Sequence, residues 1–355
     1  MTRSYGLRCL VFVMLFFFVL FLVSDATPAT QIVSPSGYKV VEKTTLGGEG
    51  GWDYLTVDPQ SRRLYISRST HVMVVDVDTS KVVGDIPHTS GVHGVALVPE
   101  LNKGFTSNGR DNTVTVFDLK TLIASKQIPV GKNPDAIIYD PVSKLVFTCN
   151  GASRDATAID PKSETVKGTI PLDGRPEFAV SDGKKHVYIN LEDKSELAEI
   201  DPSKLTVEAR WPLAPCEEPS GLAIDREHRR LFAVCSNKLM AVVNADNGHL
   251  ITTLPIGSGV DAAAFDPKSQ LGFSSNGEGT LTVIHEDSPD KFSVIENVPT
   301  QRGARTLALD PKTHKLFVVS AEFGPTPAPT AERPRPRPPA VPGSFSLLVI
   351  DSTKK

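Results

Sequence analysis

Seven residues of unlike chemistry recur at nearly equal intervals along the 355-residue chain: Asp53, His93, Asp135, Glu177, Ser220, Asp261 and Arg305. Each lies five positions before a recurring turn at 58, 98, 140, 182, 225, 266 or 310, so all seven occupy one site of a repeat. Four carboxylates brought to one axis repel one another unless something offsets them: the Arg305 guanidinium, bound protons or a cation. Oxygen ligands alone favour Ca²⁺ or Mg²⁺, and adding His93 suits Zn²⁺ or another transition metal. The metal-ligating set would then be Asp53, His93, Asp135, Glu177 and Asp261. Acid–base or metal-assisted hydrolysis by His93 and Glu177 is a further chemistry open to such a ring. The plainer alternative is that Asp and Glu only cap tight turns by accepting bonds from backbone N–H groups.

The elements that must position these residues are short strands. Val57-Asp58-Pro59 followed by Arg63-Leu64-Tyr65-Ile66 returns at Tyr139-Asp140-Pro141 with Leu145-Val146-Phe147. It returns again at Ile224-Asp225, Phe265-Asp266-Pro267 and Leu309-Asp310-Pro311, with weaker copies at Val98-Pro99 and Ser181-Asp182-Gly183. The spacings are 40, 42, 42, 43, 41 and 44 residues. One repeat reads as strand A (Ala136 to Tyr139), B (Leu145 to Thr148), C (Ala156 to Ile159) and D (Thr165 to Ile170), separated by Asp-Pro, Asn-Gly and Gly turns. Four short strands per unit of this length make a propeller blade. The predicted fold is all-β: a seven-bladed β-propeller of four antiparallel strands per blade over 38–355. Its last blade lacks a strand D after Ser346 to Ile350, and the N-terminal stretch Tyr38 to Leu46 is expected to supply it. The aromatics at 65, 105, 147, 188, 232, 273 and 317 are expected between blades, as core.

At this point a family resemblance is visible. Phe105-Thr106-Ser107-Asn108, Phe147-Thr148-Cys149-Asn150 and Phe273-Ser274-Ser275-Asn276 resemble the YVTN repeat, as do Val116-Phe117-Asp118, Val349-Ile350-Asp351 and the turn Gly131-Lys132-Asn133-Pro134. Over 38–351 the chain is similar to bacterial exported YncE-like YVTN propellers. The resemblance implies the fold more than a function, because that architecture also serves lactonase-like enzymes, amine dehydrogenase heavy chains, surface-layer proteins and binding proteins. Nucleic-acid binding has been associated with YncE-like propellers, but the acidic ring and the formal net charge of −3 argue against it here.

Propellers bind in a central funnel where the A strands converge. Its mouth should receive Trp52, Arg68, His71, Arg154, Arg175, Glu217 and Glu218 besides the ring. Trp52 beside Asp53 suits a sugar, peptide or cationic ligand, or else packs under the loop Gly47-Gly48-Glu49-Gly50-Gly51. That loop is no phosphate loop, since it lacks the Lys-Ser/Thr pair and no helix follows. Cys216 and Cys235 belong to one blade and fall on the funnel face, where a disulfide, two buried thiols or a Cys–His metal site are all open. Cys149 reads as a small buried residue. His71, His88 and His93 lie near the mouth, whereas His186, His228, His249 and His314 fall in distal turns and are expected to be solvated.

Residues 1–26 carry Arg3 and Arg8, an apolar run from Leu10 to Val23 and Ser24-Asp25-Ala26, the pattern of a cleaved signal peptide. Cleavage would leave 27–37 as a linker, no membrane-spanning helix, and a periplasmic or secreted monomer. In the last blade, 321–342 is an insertion containing Arg333-Pro334-Arg335-Pro336-Arg337-Pro338-Pro339, expected to be extended and mobile polyproline II. It is either a neutral insertion or a docking arm. The motifs of zinc proteases, serine hydrolases, nucleotide-binding loops and covalent haem are absent. The expected role is a non-catalytic scaffold for a protein, peptide or small polar ligand. No cofactor is certain, and a metal-assisted, lactonase-like hydrolase is the alternative.

Overall fold

The structure, a computed structural model, describes residues 1–2, 36–330 and 336–353. The predicted signal segment from Arg3 onward, the linker up to 35, and Arg333 and Arg335 lie outside the described residues. The rest forms seven four-stranded sheets with two single turns of 3-10 helix, Pro99–Leu101 and Glu192–Lys194. The third blade runs Pro134–Asp140, Leu145–Asn150, Asp155–Asp160 and Thr165–Pro171, within two residues of its predicted strands. Among the described residues, no helix is long and apolar enough to cross a membrane.

The ring closes as the sequence predicts. Tyr38–Thr45 pairs antiparallel with Ser346–Ser352, from Tyr38 opposite Ser352 to Thr45 opposite Ser346, outside Leu316–Ser320 and Leu307–Leu309. Closing on itself leaves the sheet ring with no open end to cap. All seven repeat aromatics are at most 1% exposed. They pack between blades: Phe232 stacks on Phe265 of the next blade at 5.1 Å, and Tyr65 meets Phe117 of the next blade at 5.9 Å.

The recurring Asp does two jobs. It accepts backbone N–H bonds two or three residues on, as Asp58 does from Gln60 at 2.9 Å and Asp310 from Lys312 at 3.0 Å. It also latches its blade to the next: Asp140 to Ser181, Asp182 to Arg229, Asp266 to His314, and Asp310 across the closure to Arg62. These side chains are buried, so each latch is a satisfied polar contact inside the joint.

Two expectations need correction. Arg68 does not face the mouth. It is fully buried, lies over the Phe345 ring at 3.6 Å, and donates to the carbonyls of Gly47, Glu49, Gly50 and Gly51. The glycine-rich loop is thus wound around a guanidinium, and Gly50, at φ +91, has no room for a Cβ beside the Arg68 carbonyl at 2.9 Å. Nor is the whole insertion free polyproline. Its base is a short ladder, with Phe323 bridged to Ala340, Gly324 donating to Pro339 at 2.9 Å and Val341 to Glu322 at 2.7 Å. Phe323 packs against Trp52, which explains why the base cannot be loose.

Candidate functional site

Five of the ring residues are the second residue of an innermost strand, where the pairing register slips, and Asp53 and Arg305 stand two residues before theirs. The slips fall between Val92 and Gly94, Pro134 and Ile137, Pro176 and Ala179, Pro219 and Leu222, and Val260 and Ala262. A bulge re-aims a side chain that a regular strand would direct into the sheet's neighbour. Here it turns His93, Asp135, Glu177, Ser220 and Asp261 toward the axis. The following position is small in most blades (Gly94, Ala136, Gly221, Ala262), which lets the strands converge; a Cβ on Gly221 would lie 2.6 Å from Ala262 Cα. The two large exceptions, Tyr54 and Phe178, come from opposite sides of the ring and meet edge to face at 4.9 Å. They fill the channel behind the ring and give the funnel a floor.

All seven ring residues line one cavity of about 480 Å³, joined by Glu192, Glu218, Ser236 and Arg337. Around it, charges alternate. Asp135 Oδ1 is 3.6 Å from His93 Nδ1, which is 2.6 Å from Asp53 Oδ2. Asp53 Oδ1 is 3.6 Å from Arg305, whose Nε is 2.5 Å from Asp261 Oδ2. Glu177 stands outside this chain: Arg175 is 3.6 Å away and prefers Glu192 at 2.7 Å, and Glu177 Oε2 is buried with no hydrogen-bond partner.

Counting formal charges, four ring carboxylates face His93 and Arg305, a deficit of two cations even with His93 protonated. Burial and mutual repulsion respond to that deficit. Burial, then Asp53 and Asp261, push the Asp135 carboxyl up to about 7 against the pull of His93. Burial, then Asp135, Glu192 and Asp261, push Glu177 up to about 9. Burial raises Asp261 to about 6, with Arg305 opposing. Burial disfavours the His93 cation, but the Asp53 bond and the Asp135 field outweigh it and hold the imidazole above its ordinary value. The ligand atoms of Asp53, His93 and Asp135 lie within 4.8 Å of one another, a spacing that a metal ion can use.

Other expected mouth residues divide. Glu218 lines the cavity and accepts from Ser236 at 2.8 Å. Ser220 lines it too, but its hydroxyl donates to the Val260 carbonyl at 3.4 Å. Trp52 lies in adjoining clefts rather than in the ring cavity, against Phe345 at 5.4 Å and Phe323 at 6.2 Å. His71 pairs with Asp85 at 3.7 Å, Arg154 with Asp193 at 2.8 Å, and the Glu217 side chain is exposed, all off the cavity. Cys216 and Cys235 form a disulfide with Cα atoms 5.7 Å apart, and Cys149 is buried and unpaired. The distal histidines are not uniformly solvated: His249 is exposed, but His186, His228 and His314 are half-buried against carboxylates.

Arg337 reaches the cavity from the insertion that the sequence places on the funnel face, whereas Glu192 and Ser236 are not among the expected mouth residues. These two had a signal: Glu192 and Ser236 stand four residues after the blade aromatic, where Gly109, Gly151 and Gly277 stand elsewhere. Replacing that glycine by a polar residue brings a side chain to the rim.

No family model matches the chain, and no curated protein matches it in sequence. Solved structures do. Kuenenia stuttgartiensis hydrazine synthase aligns with a TM-score of 0.66 at 18% identity, over 78% of this chain and 94% of that one. U3-55K aligns with a TM-score of 0.71 at 8% identity, over 89% and 99%. At such identities the likeness establishes the propeller fold and carries no activity with it.

Proposed function

We propose that this chain is an exported, non-catalytic binding propeller whose funnel captures the cationic group of a small polar ligand or peptide. The finer resemblance to YncE-like propellers and the leader-like N-terminus support the compartment. One observation carries the ligand class. Arg305 already bridges Asp53 and Asp261 inside the ring, whereas on the other side Arg175 touches Glu177 only at 3.6 Å while held by Glu192 at 2.7 Å, and among the described residues no guanidinium pairs with Asp135. A ligand guanidinium or ammonium would do for Asp135 and Glu177 what Arg305 does for the first pair, with the remaining cavity for its neutral or anionic part. A polyanion such as nucleic acid would meet the same carboxylates as repulsion.

The Asp53, His93 and Asp135 trio favours a second reading, a divalent cation and, with it, metal-assisted hydrolysis. Parallel calorimetric titrations separate the two. Arginine amide, agmatine and a lysine peptide should bind near neutral pH with proton release, and Asp135→Asn and Glu177→Gln should each abolish that binding. Tight binding of Zn²⁺ or Mn²⁺ at the ring, with turnover of a lactone or ester panel and no organic-cation binding, would transfer the assignment to the hydrolase.

A further inference from the structure

A second constellation lies on the opposite face, one strand length or roughly 15–20 Å from the ring. Here the latch between blades five and six departs from the three joints that carry a cation. Where Asp182, Asp266 and Asp310 each receive Arg229, His314 or Arg62 from the next blade, Asp225 receives no cation from blade six but a second acid, Glu286. Glu286 lies in the third strand of its blade, Thr280–Ser288, opposite Phe292 of the fourth strand and one residue past the last pair with the second, and its N–H donates to the Gln270 carbonyl. The residues making the same backbone bond in other blades are Val77, Leu119 and Ala245, all buried and apolar. Glu286 is 1% exposed, so a carboxylate has been placed where the repeat buries hydrocarbon.

Neither carboxylate oxygen of Glu286 has a hydrogen-bond partner. Arg230 is close but does not satisfy it, since its guanidinium donates to the Pro289, His228 and Arg229 carbonyls and to Asp290. What Glu286 does face is His228, with Oε1 3.0 Å from Nδ1; the same nitrogen is 2.8 Å from Asp225 Oδ2, yet it makes no well-aligned hydrogen bond to either. One nitrogen and two carboxylate oxygens therefore converge from two blades, two of the three side chains being buried and His228 leaving a path to solvent.

We infer that Asp225, His228 and Glu286 form a divalent transition-metal site that clips blade five to blade six. Two carboxylates and a neutral imidazole neutralise a dication, and an N,O,O set suits Zn²⁺ with a fourth position left to water. The fit needs little movement: in a tetrahedral site with bonds of about 2.0 Å the ligand atoms stand about 3.3 Å apart, a few tenths of an ångström wider than the two separations from His228 Nδ1, and all three ligand atoms lie within 4.8 Å of one another. The Glu286 oxygens gain the partner that they lack, and the site is independent of the funnel.

The test uses the full chain, stripped with chelator and titrated with Zn²⁺ against a chromophoric competitor. Asp135→Asn serves as the background, so that funnel binding does not interfere. One equivalent should bind, and Glu286→Gln or His228→Gln should weaken it more than about 100-fold. Zn²⁺ should raise the melting temperature of the Asp135→Asn protein and leave that of the double variants unmoved. Glu286→Val, copying Val77, should fold and should also be blind to Zn²⁺, which separates loss of the site from loss of the fold. Equal Zn²⁺ affinity with and without Glu286, or no binding at all, would overturn the assignment and leave His228 as a proton-sharing bridge between two acids.

Discussion

Replacing Glu177 by Gln should stabilise the protein at alkaline pH and not at acid pH. Burial and the neighbouring Asp135, Glu192 and Asp261 lift its folded pKa from 4.5 to about 9. Between those values the unfolded chain has released the proton and the folded one retains it, so stability falls as pH rises through this window and is lower throughout above it. Each pKa unit corresponds to about 1.4 kcal/mol, and three units lie between 4.5 and pH 7.5, a ceiling of about 4 kcal/mol. Glu177 shares its charge burden with Asp135, so one substitution should recover roughly half, about 2 kcal/mol. With an unfolding entropy of about 2.1 cal/mol/K per residue, that is about 3 °C in a propeller of this length. Thermal unfolding of both proteins from pH 4.5 to 9 reads it directly. The curves should coincide near pH 4.5 and diverge upward for Glu177→Gln. A constant offset at all pH values, or a variant less stable at pH 8, would refute the crowded-carboxylate account.

Other outcomes follow from the same structure. Tyr38→Ala removes a buried ring packed edge to face on Phe273 at 5.2 Å in the closing strand, and should cost about 3–5 kcal/mol in urea unfolding. Reducing the Cys216–Cys235 bond, or Cys216→Ala with Cys235→Ala, should cost about 3 kcal/mol for a loop with a sequence separation of 19, measured by the same unfolding curves. Arg337 lines the funnel, so Arg337→Gln should raise affinity for an organic cation several-fold at low salt, with the gain shrinking as salt is added. Deleting 325–338 should reproduce that gain while shifting the melting temperature by less than about 2 °C, because Phe323, its bridge to Ala340 and the Val341 to Glu322 bond can persist across a Gly324-Pro339 turn.

The repeat was legible because one structural rule, an Asp turn followed by an aromatic, is written six times with little variation and a seventh time with Val98 in place of the Asp. Ring positions could be counted from that turn, and their chemistry stood out because each blade varies there. What could not be read depends on contacts between repeats. Arg68 looks like a surface cation until Phe345, nearly 280 positions away, closes beneath it. Trp52 looks like a ligand platform until Phe323 and Phe345 from the last blade pack on it. Tyr54 and Phe178 meet only because the ring closes. The bulges that aim the ring side chains are register slips, which leave no residue signature beyond Pro or small neighbours. Glu286 has no such signal: in the sequence it is one acid among the charged residues His285, Glu286 and Asp287, and only the folded joint shows it standing where Val77 and Ala245 are buried.

The most direct test of the funnel assignment is a crystal structure of the full chain grown at neutral pH with arginine amide. The account predicts a guanidinium within hydrogen-bond reach of both Asp135 and Glu177, mirroring Arg305 between Asp53 and Asp261. A funnel holding only water while arginine amide binds elsewhere, or a metal ion on Asp53, His93 and Asp135 that excludes it, would contradict the account.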